Sequence, residues 1–220
     1  MKSSEVIKRY AVFFVGLLGN AFGVAFVTKS ALGASPIAAI PYSLSLVLPN
    51  LTMGNYVIIF NLLLVIMQWV ILKDKANKVE LLLQAVMTFC FGYFTDFALL
   101  VLANLNPVSY IIKIVLLVSG CLFLGLGVFF ELIGNVVMLP GNALPRAIAN
   151  TIGKEYGTVR VISDITMTII SGLISLIFLR QLISVREGTI IAALLVGNII
   201  TMWKKVLASL EVVLNDWITK

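Results

Sequence analysis

Apolar residues dominate six stretches of the chain, at about 11–28, 56–72, 81–105, 108–130, 159–179 and 188–203. Roughly 20 apolar residues in a helix cross the 30 Å hydrocarbon core of a bilayer, so each stretch predicts a spanning helix. Two shorter stretches, 31–48 and 136–152, are richer in Gly, Ser, Asn and Pro, and each carries two prolines five positions apart. They predict Pro-broken segments, short or re-entrant. Irregular backbone at membrane depth is tolerated only where protein or a water-lined cavity receives it. The last stretch, 206–220, places Val206, Leu210, Val213 or Leu214 and Trp217 on one helical face, the pattern of an interfacial amphipathic helix.

Composition agrees with this pattern. Hydrophobic residues make up 60% of the 220, charged residues 12%, and the mean hydropathy is +1.08, which excludes a soluble domain with a charged shell. The fold class expected is an all-α polytopic membrane protein, a single transmembrane domain over residues 1–220. No cleavable signal is expected, because the first apolar run is long enough to remain as a span. The net charge of +6 reports orientation rather than nucleic-acid binding, since the basic residues flank apolar runs. Cys90 and Cys121 lie inside such runs and read as small packing residues. There is no histidine, no metal-ligand spacing and no nucleophile motif, so neither an enzyme nor a bound cofactor or metal is expected.

The chain also repeats itself. "GNVVMLPGNALPRAI", from Gly134, aligns on "SALGASPIAAIPYSL", from Ser30, at an offset of 104, which pairs Pro36 with Pro140 and Pro41 with Pro145. Gly23 falls on Gly127 at the same offset; Gly54 and Asn61 fall on Gly157 and Asp164 at 103, and Gly92 on Gly197 at 105. The landmarks suggest a duplication of about 8–105 into 108–205. Three spans per half, an odd number, makes the halves inverted.

Cytoplasmic loops are enriched in Lys and Arg. With six spans, re-entrant proline segments and the N-terminus inside, Lys2, Lys8, Arg9, Lys73, Lys75, Lys78, Arg146, Lys154, Arg160, Lys204, Lys205 and Lys220 are cytoplasmic. Only Lys29, Lys113, Arg180 and Arg186 lie outside. Eight spans would put the cluster at Lys73, Lys75 and Lys78 outside, so six is preferred.

Candidate binding residues follow from polarity within apolar segments. Proline lacks the N–H and clashes with the preceding turn, so Pro36, Pro41, Pro140 and Pro145, with neighbouring Ser35 and Asn142, are expected to free carbonyls and helix ends for a solute. Asp164, Thr168, Ser171 and Ser175 share one helical face. Asp164 lies roughly 10 Å past Gly157 at 1.5 Å per residue, deep enough for an unpaired charge to cost at least about 2.5 kcal/mol. A second polar stripe runs through Gln84, Thr88, Gly92, Thr95 and Asp96. Asn61, Asn20 and Asn198 are candidates as well, and helix–helix hydrogen bonding competes with function at each. Arg146 follows Pro145 and could anchor an anionic group, although it and Glu131 also suit an interface where charges snorkel. Gly16, Gly19, Gly23, Gly120 and Gly127 suit close helix packing.

The stretch "GVAFVTKSALGASP" from Gly23 to Pro36, Gly54 with Asn61, and Phe91–Gly92 with Asp96 resemble the YczE, YyaS and YitT group of bacterial membrane proteins. The absence of a soluble tail is more similar to the YczE branch. The resemblance implies a multi-pass protein of the bacterial plasma membrane, in the manner of a permease, and implies no substrate. The function expected is a small secondary transporter for a small polar solute or ion, with both termini cytoplasmic. The alternative is a membrane-embedded solute-binding subunit that needs a partner, such as the capture component of an energy-coupling factor importer, or an accessory protein that transports nothing. The partners expected are the lipid bilayer and the solute, with a second copy or a partner subunit left open.

Overall fold

A computed structural model describes residues 3–219; Lys2 and Lys220, assigned above to the cytoplasmic side, lie outside that range. Its helices are α1 (Ser3–Lys29), α2 (Pro36–Val47), α3 (Met53–Leu72), α4 (Lys78–Val101), α5 (Tyr110–Gly134), α6 (Pro140–Ile152), α7 (Tyr156–Ile174), α8 (Glu187–Val206) and α9 (Ala208–Thr219). A π-helical stretch, Ser175–Leu179, extends α7. Six of these helices are long and apolar enough to cross a membrane: α1, α3, α4, α5, α7 with its extension, and α8. The protein is therefore an all-helical polytopic membrane protein.

Local chemistry sets the boundaries. Thr52 caps α3 by accepting the Asn55 N–H, and Asn77 caps α4 by accepting from Val79 and Glu80. After α1 and α5 the chain turns through a left-handed residue, Ala31 (φ 56°) and Asn135 (φ 47°) respectively. Each turn is followed by extended backbone and then a helix whose first residue is proline, Pro36 or Pro140, where the missing N–H costs nothing.

The centre of the bundle is the α1/α5 pair, and glycine makes it. A Cβ on Gly16 would sit 2.6 Å from the Gly127 carbonyl oxygen, and one on Gly23 would sit 3.0 Å from the Gly120 oxygen. Only glycine lets the two backbones approach this closely. Residue numbers rise on α1 as they fall on α5, so the helices are antiparallel.

The ends of the remaining helices follow from their contacts. The Lys29 ammonium donates to the Ala103 carbonyl, and Gly54 packs on Gly92 and Asp96, so α1 ends where α3 begins, beside the end of α4. Thus α2 leaves and returns to one end of the bundle. At 12 residues it is about 18 Å long, too short to cross. The same reasoning applies to α6: α5 ends against Arg9 and Phe13, and α7 finishes at the opposite end, where Ser171 meets Ser184.

The expected breaks at the second prolines are absent. Pro41 and Pro145 lie inside continuous helices α2 and α6. Each withholds the N–H that would bond the carbonyl one turn earlier, at Ile37 and Gly141, yet each helix runs on through its buried proline.

The terminal helix α9 turns a different face inward from the one its apolar pattern suggests. Leu207, Leu214 and Ile218 pack on Val12, Phe129 and Ile133, while Val206, Leu210, Val213 and Trp217 face outward. The Lys8 ammonium donates to the Trp217 carbonyl and lies 5.1 Å from the centre of its ring. Cys90 and Cys121 are free, as expected.

Candidate functional site

The re-entrant helices meet head to head. A Cβ on Gly141 would lie 2.9 Å from Cγ2 of Ile37, which puts the first turns of α2 and α6 against each other inside the bundle. Around this junction lies a cavity of ≈ 480 Å³. Ile37 and Gly141, whose carbonyls the second prolines deprive of a helical donor, both line it.

Polar groups reach the cavity from four sides. Asn61 on α3 and Asp164 on α7 each lie eight residues past the start of their helix, about 12 Å along the axis. Asn61 is buried and its Nδ2 donates to its own Val57 carbonyl at 2.9 Å. Asp164 is half-buried and pairs with Arg160, one turn earlier, at 3.1 Å. The Arg160 guanidinium also donates to Asn142 Oδ1 on α6 and to the Tyr156 hydroxyl. The cluster Asn142, Arg160, Asp164 and Tyr156 thus ties the first turn of α6 to α7. Asn20 enters from α1, with its Nδ2 donating to Glu131 Oε1 at 2.7 Å. Ser35 and Pro36 complete the polar edge, and Pro41 lies behind them. Most of the remaining wall is apolar, with Val24, Phe91, Leu124 and Val196 among its residues. The helix N-termini of α2 and α6 add partial positive charge at the junction.

Of the residues expected from the sequence, Asn20, Ser35, Pro36, Pro41, Asn61, Asn142 and Asp164 share this cavity. Six others do not. Asp96 lies at the start of α3, where its Oδ2 accepts from the Thr52 hydroxyl at 2.6 Å and its Oδ1 from the Gly54 N–H at 2.7 Å. It caps a helix, so the second polar stripe does not bring its carboxylate to the cavity. Arg146 is exposed on the outer face of α6, away from the junction. Pro140 and Pro145 are buried in packing. Thr88 is fully buried and its hydroxyl has no partner among the described residues. Thr168 donates back to the Asp164 carbonyl and lines an adjoining cleft between α7 and α8.

Three further readings change. Ser171 and Ser175, at the far end of the stripe from Asp164, join Ser43 and Ser184 in a buried hydroxyl cluster with oxygens 2.7–3.0 Å apart. The cluster fastens α2 to α7. Glu131 does not snorkel; it is 8% exposed between α1 and α5. Asn198 faces outward and donates to the Leu194 carbonyl of its own helix.

Arg160 and Tyr156 are the site residues that sequence reasoning missed. The i, i+4 spacing of Arg160 and Asp164 was the available signal. Arg160 carried weight only as a loop charge, and the structure places it in the second turn of α7 with its side chain turned in.

The fold and cavity define a multi-pass helical membrane protein whose two re-entrant helices meet at an internal, partly charged pocket. Residues 7–205 match a family described as a family of unknown function (DUF6198), and the chain belongs to that family. No curated protein and no solved structure matches it.

Proposed function

We infer that the protein is a small secondary transporter of a bacterial plasma membrane, with both termini cytoplasmic, and that its central cavity binds the transported solute. The observation that carries this reading is the junction of two re-entrant helices beside the Arg160–Asp164 pair. A half-buried ion pair with attached polar groups inside a membrane bundle is costly unless it serves a site or a path. Re-entrant helix ends near mid-bundle are the recurrent form of solute sites in transporters built from inverted repeats. The antiparallel α1/α5 pair supports such a repeat: Gly16 and Gly23 meet Gly127 and Gly120, and the offset of 104 exchanges these two contacts. Basic residues at Lys73, Lys75, Lys78, Lys204 and Lys205 gather at the end of the bundle where the chain starts, which supports that end as cytoplasmic.

The walls indicate the solute. A largely apolar pocket with one cationic group, one carboxylate and two helix N-termini suits a small organic molecule with an apolar body and a charged or dipolar end. Asp164, shared with Arg160, is the group that can exchange its partner for a proton or a solute ammonium.

The test is flux in proteoliposomes. A panel of radiolabelled small organic acids and amino acids, applied under an inward proton gradient, is expected to contain at least one accumulated solute. Asp164→Asn and Arg160→Gln should lose that uptake while keeping the elution profile of the parent protein. Undiminished uptake in both variants would remove the cavity from the transport path.

A further inference from the structure

The two halves carry corresponding pairs of glycines, and the structure uses only one pair. On α3 and α4, Gly54 and Gly92 bring the helices into backbone contact: a Cβ on Gly92 would lie 2.7 Å from the Gly54 carbonyl oxygen and 2.7 Å from Cδ1 of Ile58. Thr52 and Gly54 then both bond the Asp96 carboxylate, and Gln68 donates to Gln84 at 3.0 Å near the other end of the pair. This crossing is shut.

Gly157 on α7 and Gly197 on α8 are the corresponding positions, and here the helices stand apart. A Cβ on Gly197 would meet nothing within 4 Å, and one on Gly157 would meet only the Glu155 side chain, at 3.8 Å. Between the helices a cleft of ≈ 330 Å³ runs from Val161 and Asp164 past Thr168, Ala193 and Leu194 to Pro36 and Thr189, on the side of Asp164 away from the two glycines. The central cavity itself extends along this side, past Tyr156, Gly197 and Ile200. The shut crossing lies at the end of the bundle where α1 finishes, and the open one lies towards the end where the chain begins.

The polar capping pair has a counterpart too. Thr52 and Asp96 correspond to Glu155 and Thr201, a hydroxyl and a carboxylate with their places exchanged. At present Thr201 donates to its own Gly197 carbonyl, and Glu155 caps α7 with its backbone alone.

We propose that α7 and α8 are a gate that closes through Gly157 and Gly197, and that α3 and α4 part at Gly54 and Gly92 when it does. This rests on the reading of the cavity as a solute site between inverted halves, and assigns the contacts that alternate. In the closed gate the Thr201 hydroxyl donates to Glu155, as Thr52 now donates to Asp96. The solute site faces the basic end in the present state and the opposite end in the other. Crossings made by glycine suit such an exchange, because the contact is largely between backbones, and on the α4 side Gly92 presents no side chain to withdraw from α3. Two packings of one helix pair are discrete states, since packed interfaces do not deform continuously.

Gly197→Leu tests the gate. The side chain has room in the present state, so the variant folds, and it blocks closure. Ile58→Cys, in a Cys90→Ala, Cys121→Ala background, reports the opening of α3 from α4, because Ile58 is buried against Gly92. An impermeant maleimide applied from the Asn106 side is expected to label Ile58→Cys slowly in the parent and at least tenfold more slowly with Gly197→Leu. Val161→Cys, on the wall of the open cleft, should label from the basic side at an equal or higher rate in the same variant, which shows that the variant is folded. No labelling of Ile58→Cys in the parent, or the same rate with Gly197→Leu, would overturn the gate. Flux separates the two readings. Shifted labelling without any transported solute sinks the transporter and leaves the gate, whereas undiminished uptake in Gly197→Leu sinks the gate and leaves the transporter.

Discussion

Helices α3 and α7 occupy corresponding places beside the two re-entrant helices, and they do different work. On α3 the facing turn is Val57 and Asn61, neutral and satisfied by the helix itself; on α7 it is Arg160 and Asp164, joined to Asn142 across the junction. α3 is locked to α4 through glycine, whereas α7 leaves a cleft beside α8. α3 supplies shape and α7 supplies charge. A cavity between two such helices needs charge from only one of them to bind a polar group, and each further buried charge would carry its own desolvation cost.

Substitution of the paired glycines is the strongest way to break this comparison. Gly54→Val would drive a side chain into the Gly92 backbone and the Asp96 carboxylate, and overpacking of this kind costs about 1–3 kcal/mol or more. Gly157→Val meets only the end of the Glu155 side chain, at ordinary contact distance. Thermal denaturation in detergent is expected to show a large loss for the first and little change for the second; equal losses would mean that α7 and α8 are packed after all.

Next in size is the exchange of charge between the halves. Asp164→Asn should abolish uptake, and the double variant Asp164→Asn, Asn61→Asp should not restore it, because Asn61 has no arginine one turn earlier. Restored uptake would make the two sides equivalent and the Arg160 pairing dispensable.

A smaller effect is expected at the α1/α5 interface, where the Asn20–Glu131 bond has no polar equivalent: the corresponding residues are Leu124 and Val27. Glu131→Ala strands the Asn20 amide and should cost about 1–2 kcal/mol, the range of hydrogen bonds between membrane helices. Glu131→Gln, which retains an acceptor, should recover most of it. Smallest is Asp96→Asn, which weakens the bonds that cap α3 by about 0.5–1 kcal/mol. Thermal denaturation in detergent should show this small loss; a loss as large as that of Gly54→Val would make the carboxylate, rather than glycine contact, what holds α3 to α4.

The spans were legible because about 20 apolar residues can do little else, and the boundaries differ from expectation by only a few residues at most ends. The matched prolines marked the two re-entrant helices, and so the cavity. Pattern alone could not tell which proline begins a helix and which is carried inside one, because burial of short helices α2 and α6 decides that. Asp164 was legible as a charge in an apolar run. Its partner Arg160 lies at the edge of the same apolar run, where a basic residue reads as one more loop charge. Asp96 and Asp164 look alike in sequence, and only the fold sends one to a helix terminus and the other to the cavity. On α9 the apolar face could not be assigned to protein or lipid, since both are equally apolar to a leucine.

The most direct measurement is sidedness. Lys75→Cys, Asn106→Cys, Glu155→Cys and Glu187→Cys, each introduced singly into a Cys90→Ala, Cys121→Ala protein in oriented membranes, would be treated with an impermeant maleimide from each face. Positions 75 and 155 are expected to label from the cytoplasm, and 106 and 187 from the other face, which places α1–α4 and α5–α8 in opposite orientations around the cavity. Labelling of Lys75→Cys and Glu155→Cys from opposite faces would contradict the inverted arrangement, and with it the solute site between the halves.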